Sequence, residues 1–453
     1  MNSSHSHATD PGQARLDYAG ELVAVLTTDI AGITRGRGVG LPDLGSTLGR
    51  GVGWVPANLA LTPFDAIAPD NPWGASGDLR LMPDAGSRFR VALPGATPLH
   101  GMMSDVTNLD GSPWLGCGRS FLRQALADLE QESGLRLIAA FEQEFQALGT
   151  GWPPAPCFSL AALRRADPFG PMVMAALREA DLEPELFLAE YGRDQFEVTC
   201  RPTAGLAAAD RAVIIREVVR EIARLQGFRA SFAPKTAPDG VGNGVHIHFS
   251  FQDAEGNPVA YDAARPGGLS AVAGSFAAGI MRQLPALVAL TAPSPVSYLR
   301  LQPHHWSAAY TVFGAQNREA ALRICPVPAL PEVDPAAAYN LEYRPADATG
   351  SPYLALGAIV RAGLAGIREG LAPPPLVDVD PSTLDESEHR RLGIARLPGS
   401  LPEALAALAA DAALAGWFHP DFLACYHAMK RQELHLTAGL APEELCRRYV
   451  EIY

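Results

Sequence analysis

The sequence predicts a mixed helix-and-strand fold in two domains, a small β-rich one followed by a large α/β or α+β one. Three observations carry this. The chain has 453 residues, more than one simple core organises. Up to about Asp110 the text is rich in glycine and proline and holds only short apolar runs. From Gly111 onward, strand-like runs alternate with amphipathic helical stretches to the end of the chain.

In order, residues 1–18 are polar, lack the apolar stretch of a secretory signal, and read as a disordered segment. The β-rich domain spans 19–110, with strands expected at Glu21–Thr28, Leu79–Met82 and Phe89–Leu93. The large domain spans 111–453. It opens with a helix over Ser120–Glu132, whose Leu122, Leu126 and Leu129 share one face. Gly134 stops that helix, and LRLIAAF (135–141) follows as a strand. A second helix runs from about Ala209 to Leu225, striped by Ile215, Val218, Ile222 and Leu225. Strands are expected at 228–233 and 246–251, and helices at 353–367 and 402–415. The apolar run Gly268–Met281 stops at Arg282 and Pro285, too short to span a bilayer. The proline-rich stretch 373–381 reads as a surface loop.

Composition narrows the function. A net charge of −13 argues against nucleic acid or an anionic membrane as partner. Six scattered cysteines without a C-x-x-C read as reduced thiols, neither a disulfide framework nor a zinc knuckle, and the expected location is cytoplasmic.

The chemistry gathers in a few short stretches. In GNGVHIHFSF (242–251), a strand's period of two points His246 and His248 to one face and Val245, Ile247 and Phe249 to the other. FEQEF (141–145) does the same for Glu142 and Glu144, AEYGRDQFEV (189–198) adds Glu190 and Glu197, and NLEYRP (340–345) adds Glu342 beside Arg344. Each carboxylate alone is a solvated charge. Together they are tolerable only with cations between them. Oxygen-rich ligation with one imidazole suits Mg²⁺ or Mn²⁺ rather than zinc. Arg300, Arg318 and Arg323 supply forks that match carboxylates and phosphates. Acidic strands beside arginines suggest phosphoryl transfer from a nucleotide, without a P-loop or a kinase H-R-D motif.

The ordered set FEQEF, EYGRDQFEV, GNGVHIHFS, SYLRLQP, NREAALRICP and NLEYRPADATGSPYLALGAIVRAGLAGI resembles the glutamine synthetase superfamily over about 110–370, and TDIAGITRG and LRLMPD extend the likeness toward the N-terminus. The resemblance implies an α+β fold: a β-grasp-like N-terminal domain and a catalytic domain with a curved antiparallel sheet flanked by helices. It implies one metal held by Glu144, Glu190 and Glu197 and a second by Glu142, His246 and Glu342. His248 and Ser250 would lie on the nucleotide side, and Arg318 and Arg323 on ATP and the transferred phosphoryl group. Gly242 would belong to the glutamate loop, with Arg300 and Arg344 on the glutamate carboxylate and the phosphate. The implied reaction phosphorylates the γ-carboxylate of glutamate with ATP and displaces the phosphate with an amine. The implied assembly is a homo-oligomeric ring, a dodecamer, with active sites between subunits.

The pattern also departs from the family. Ammonia-using members carry a glutamate, three residues after the proline of SY-x-R-L-x-P, that takes the ammonium proton. Here Trp306 stands there, and an indole takes no proton. The N-terminal aspartate that also binds ammonium has a candidate counterpart in Asp65, and His305 is a second candidate for the proton. Val241 replaces the usual asparagine before Gly242, and the segment 376–392 has no tyrosine for adenylylation. The leading expectation is therefore a γ-glutamyl amide ligase using an organic amine, of the polyamine, ethanolamide, methylamide or anilide kind. The alternatives are an ammonia-dependent glutamine synthetase and a non-catalytic structural or regulatory relative.

Overall fold

The computed structural model describes residues 22–453, so the expectation for residues 1–18 lies outside the described residues. The first sheet is built from β1 (Leu22–Thr28), β2 (Thr34–Gly40), β3 (Val52–Trp54), β4 (Leu79–Pro83), β5 (Phe89–Val91) and β6 (Leu99–Thr107). Its order is β2-β1-β6-β4-β3, with β5 beside β6. β1 and β6 run parallel, and the other pairs are antiparallel. The burial of β1 alternates, with Val23 and Val25 fully inward, as its period of two requires.

Helix Gly118–Ser133 leads into two further sheets. One has the order β12-β8-β10-β9, the other β11-β7-β13-β16-β15-β14. Their strands are β7 (Arg136–Phe141), β8 (Gln143–Leu148), β9 (Pro184–Ala189), β10 (Gln195–Cys200), β11 (Thr203–Ala204), β12 (Arg229–Ser231), β13 (Ile247–Gln252), β14 (Phe313–Gly314), β15 (Leu322–Ile324) and β16 (Leu341–Tyr343). All pair antiparallel except β14 with β15. The sheets meet at Glu142, where the chain leaves β7 in one and enters β8 in the other. The stretch read as one strand end is thus a crossing point, and it bends the combined surface into a curve.

Helices Gly118–Ser133, Gly205–Leu225, Ala271–Thr291 and Pro352–Arg368 pack behind this surface. Ala271–Thr291 crosses Pro352–Arg368 almost backbone to backbone: a side chain at Gly279 would strike the Ala362 carbonyl, and one at Gly366 the Ser275 carbonyl. Two expected boundaries move. Ala271–Thr291 continues through Arg282 and Pro285, because Ser270 caps its start and packing on both sides holds a helix that proline would break in isolation. This 21-residue helix is long and apolar enough to cross a membrane, yet most of it is buried inside the fold. The expected 402–415 helix breaks at Asp411, whose extended backbone and side-chain bond to Leu414 N–H cap a new short turn.

Arg119 ties the first sheet to the rest. It is buried and donates to Asp210 (2.9 and 2.8 Å), Asp105 (3.0 Å) and Asp84 (2.7 Å), and Tyr353 donates to the same Asp210 at 2.6 Å. Arg119→Met is expected to cost about 3 kcal/mol or more, because it strands carboxylates from both sides of the junction. A thermal or urea unfolding midpoint within error of wild type would remove Arg119 from this role.

Candidate active site

Register brings the acidic residues together. Glu197 on β10 pairs directly opposite Glu144 on β8. His248 on β13 pairs opposite Glu342 on β16, and Arg323 on β15 pairs opposite Glu342 from the other side. Directly opposed residues on one sheet face are a few ångströms apart, so these pairings alone build the cradle. Glu142 lies at the crossing, its N–H bonded to the His246 carbonyl at 3.0 Å, and Glu190 follows the end of β9. His246 immediately precedes β13, and Ile247, Phe249 and Phe251 bury on the opposite face.

At the centre, His246 Nδ1 lies 3.0 Å from Glu142 Oε2, 3.4 Å from Glu342 Oε1 and 3.9 Å from Glu144 Oε1. His248 Nε2 lies 3.0 Å from Glu142 Oε1, and its Nδ1 is 2.9 Å from Asn340 Oδ1. Glu144 Oε2 accepts from the Gly244 N–H at 2.7 Å. Glu342 is fully buried. It touches Arg344 on one side and, with Oε2, Arg323 Nε at 2.5 Å on the other.

The electrostatics divide the carboxylates. Burial and the charges of Glu142, Glu144 and Glu190 push Glu197 up to about 9. Burial, then Glu144, raises Glu190 as well. Burial opposes ionisation of Glu142 and Glu342 too. His248 and His246 overcome it at Glu142, and Arg344, His246, His248 and Arg323 at Glu342, so both stay below the usual carboxylate range.

A divalent cation fits this donor set. His246 Nε2 is buried without a hydrogen-bond partner, and His248 Nε2, though close to Glu142, is out of line for one. One ligand atom each from Glu142, His246 and Glu342 falls within 4.8 Å of the others. Glu144, Glu190 and Glu197 crowd together with no arginine bonded to them among the described residues. Mostly carboxylate donors suit a hard ion.

Beside the cradle opens a cleft of about 570 Å³, lined among others by Glu142, Glu197, His248, Ser250, Tyr339 and Asn340. Ser250 Oγ donates to the Tyr339 carbonyl at 2.7 Å. Arg318 is exposed, and its charge reaches Glu190. Arg300 is buried beneath the glycine loop. Its Nη1 and Nη2 donate to the carbonyls of Ala346 (3.1 Å) and Arg344 (3.3 Å), and a side chain at Gly242 would press on it at 2.8 Å.

Trp306 sits on a loop with left-handed backbone at His304, Trp306 and Ala308. Its N–H donates to Glu319 Oε1 at 3.0 Å, and its carbonyl accepts from Arg344 Nη2 at 2.7 Å. Its ring is exposed and lies 6.3 Å from Tyr191, the neighbour of Glu190. The ring is therefore part of an open rim and not of a closed pocket. His305 is also exposed, with a pKa lowered by partial burial and by Lys235, and no metal-cradle carboxylate perturbs it. Asp65 is exposed and bonded to Arg35 at 3.1 Å, with no bond to the cradle of its own chain.

Sequence reasoning passed over four neighbours of this site. Asn340 holds His248, and Cys325 Sγ lies 3.5 Å from the same imidazole. Asn243 fixes the glycine loop through Gln195 (2.9 Å) and the Ala233 carbonyl (2.8 Å). Glu319 holds the Trp306 loop. Asn340, Cys325, Asn243 and Glu319 all stood inside quoted motifs, but only the fold gives them partners.

Comparison with known proteins agrees with this layout. Residues 115–448 match the family model for the glutamine synthetase catalytic domain, and residues 12–114 that for the glutamine synthetase N-terminal domain. The chain is 35% identical to a gamma-glutamylpolyamine synthetase of Streptomyces coelicolor, over 94% of this chain and 92% of the relative. It is also 35% identical to a glutamine synthetase of Thermococcus kodakarensis, over 66% of each. A solved structure described as a novel glutamine synthase homolog is 49% identical, with a TM-score of 0.90 over 97% of this chain and 100% of its own.

Proposed function

The chain belongs to the glutamine synthetase family and is an ATP-dependent carbon–nitrogen ligase, and from that premise we propose that it joins glutamate to an organic amine through γ-glutamyl phosphate. The observation that carries the organic amine is Trp306 at the mouth of the metal cradle, where ammonia-using members carry a proton-accepting glutamate. Likeness to a gamma-glutamylpolyamine synthetase along nearly the whole chain supports the same reading.

In this reading ATP enters the cleft beside His248 and Ser250 and points its phosphates at the cradle. Glu142, His246 and Glu342 would hold one Mg²⁺ or Mn²⁺, and Glu144, Glu190 and Glu197 another. Bound there, the ions neutralise charge on the phosphoryl oxygens. Arg318 and Arg323 add charge-assisted hydrogen bonds to the phosphates, and Arg344 and Arg300, beneath the Gly242 loop, orient glutamate. The γ-carboxylate oxygen attacks the terminal phosphorus and ADP leaves. The amine nitrogen then attacks the acyl carbon, phosphate leaves, and the nitrogen loses a proton to a base. Asp65, reaching out from a neighbouring subunit, and His305 are the candidates for that base. The proposed assembly is a dodecameric ring with shared sites, which light scattering on the active protein tests.

The deciding experiment is a phosphate-release assay with glutamate, ATP, Mg²⁺ or Mn²⁺ and a panel of amines. At least one organic primary amine is expected to exceed ammonia in kcat/KM at equal free-base concentration. If ammonia leads across the panel, the chain is an ammonia-dependent glutamine synthetase and this reading falls.

A further inference from the structure

We propose that Phe158, Tyr191 and Trp306 form an aromatic rim that receives the distal ammonium of a diamine or longer polyamine while its near nitrogen reacts at the metal cradle. This rests on the organic-amine reading above and narrows it to one substrate class. The three rings are exposed, at 56%, 58% and 56%, in a protein that otherwise buries most of its aromatic side chains. They form a chain: Phe158 to Tyr191 and Tyr191 to Trp306 are each 6.3 Å between centroids, tilted by 41° and 53°. Phe158 and Trp306 both have left-handed backbone, at φ 56° and 51°, which bulky residues rarely adopt without surrounding constraint.

For Trp306 and for Tyr191 beside it, the constraint comes from the cradle. Tyr191 follows Glu190, whose Oε2 accepts the Tyr191 N–H at 3.1 Å. Trp306 is held through its carbonyl by Arg344, which also binds Glu342, and through its N–H by Glu319. The Tyr191 and Trp306 rings therefore stand at a fixed reach from the reacting centre, and Phe158 extends the rim through its contact with Tyr191. An open rim encloses little of a purely apolar group, so area burial gains little there. Ring faces attract a cation through their quadrupole. Two arginines stand in the same region: the charge of Arg318 acts on Glu190, and the exposed Arg193 lies 4.0 Å from Asp194, which Arg165 also holds at 2.9 Å.

The test compares putrescine with n-butylamine, which match in chain length and differ in the second ammonium. Wild type is expected to favour putrescine in kcat/KM. Phe158→Leu, Tyr191→Leu and Trp306→Leu keep apolar surface and remove the ring face. Tyr191→Leu and Trp306→Leu are each expected to raise the putrescine KM roughly tenfold with little change in kcat, and to move n-butylamine far less; Phe158→Leu shifts the same way. Trp306→Phe is expected to restore most of the preference. Equal shifts for both amines, or none, overturn the rim. A changed assembly mass by light scattering in these variants also overturns it, making the rim an interface between copies. If wild type uses organic amines well but without preference for putrescine, only this inference falls. If ammonia leads the panel, the parent reading falls with it.

Discussion

Glu144→Gln is expected to lower ligase turnover at least about a hundredfold while leaving thermal stability near wild type, and Glu342→Gln to lower both. The two carboxylates sit in the same cradle but answer to different neighbours. Glu144 meets the Gly244 N–H and faces Glu197 across the sheet. Glutamine keeps the acceptor for Gly244 and removes one of several crowded like charges, so the fold loses little. What goes is an anionic donor where phosphoryl charge must be balanced. Glu342 is fully buried between Arg344, Arg323 and His246. Its neutralisation leaves two guanidinium groups without their buried counter-charge, which costs about 3 kcal/mol. Phosphate release and thermal unfolding in chelator, measured on both variants, separate the cases. Near-wild-type turnover of Glu144→Gln would take it off the ligand set. Unchanged stability of Glu342→Gln would mean the arginines find other partners.

This difference explains what the sequence could and could not reveal. The alternation in GVHIHFS and FEQEF is a local property of extended backbone, so the shared face of His246 and His248, and of Glu142 and Glu144, was legible. The helix over Gly118–Ser133 was legible because Gly134 takes the left-handed cap conformation that a glycine there announces. Sheet membership was not. Nothing in FEQEF marks Glu142 as the point where the chain changes sheets, because that depends on pairing with one strand about fifty residues away and another about a hundred. Pro285 misled for a related reason: its local cost is real, and packing against Pro352–Arg368 outweighs it. Trp306 was legible as a substitution but not as a posture. Its exposure follows from Glu319 and Arg344 gripping the backbone on either side of the ring, and Glu319 comes from a loop whose approach no periodicity encodes.

That posture makes Trp306→Glu the sharpest single test of amine choice. The variant is expected to shift kcat/KM toward ammonia over putrescine by about a hundredfold, as the product of two roughly tenfold effects. The first is loss of the ring, which removes the face that attracts putrescine's distal ammonium. The second is gain of a carboxylate beside Tyr191 and Glu190, where a small ammonium ion is attracted and a proton finds an acceptor. The backbone favours a clean substitution, because Glu319 and Arg344 hold the peptide groups of residue 306 and not its side chain. The introduced acid sits near other carboxylates, which disfavour its ionised form and keep it available as a base closer to neutral pH. The measurement is the ratio of the two kcat/KM values at one pH and equal free-base concentration. A drop in activity toward both amines with an unchanged ratio would mean that Trp306 only shapes the loop. The discriminator would then have to be sought elsewhere, with Asp65 the first residue to test.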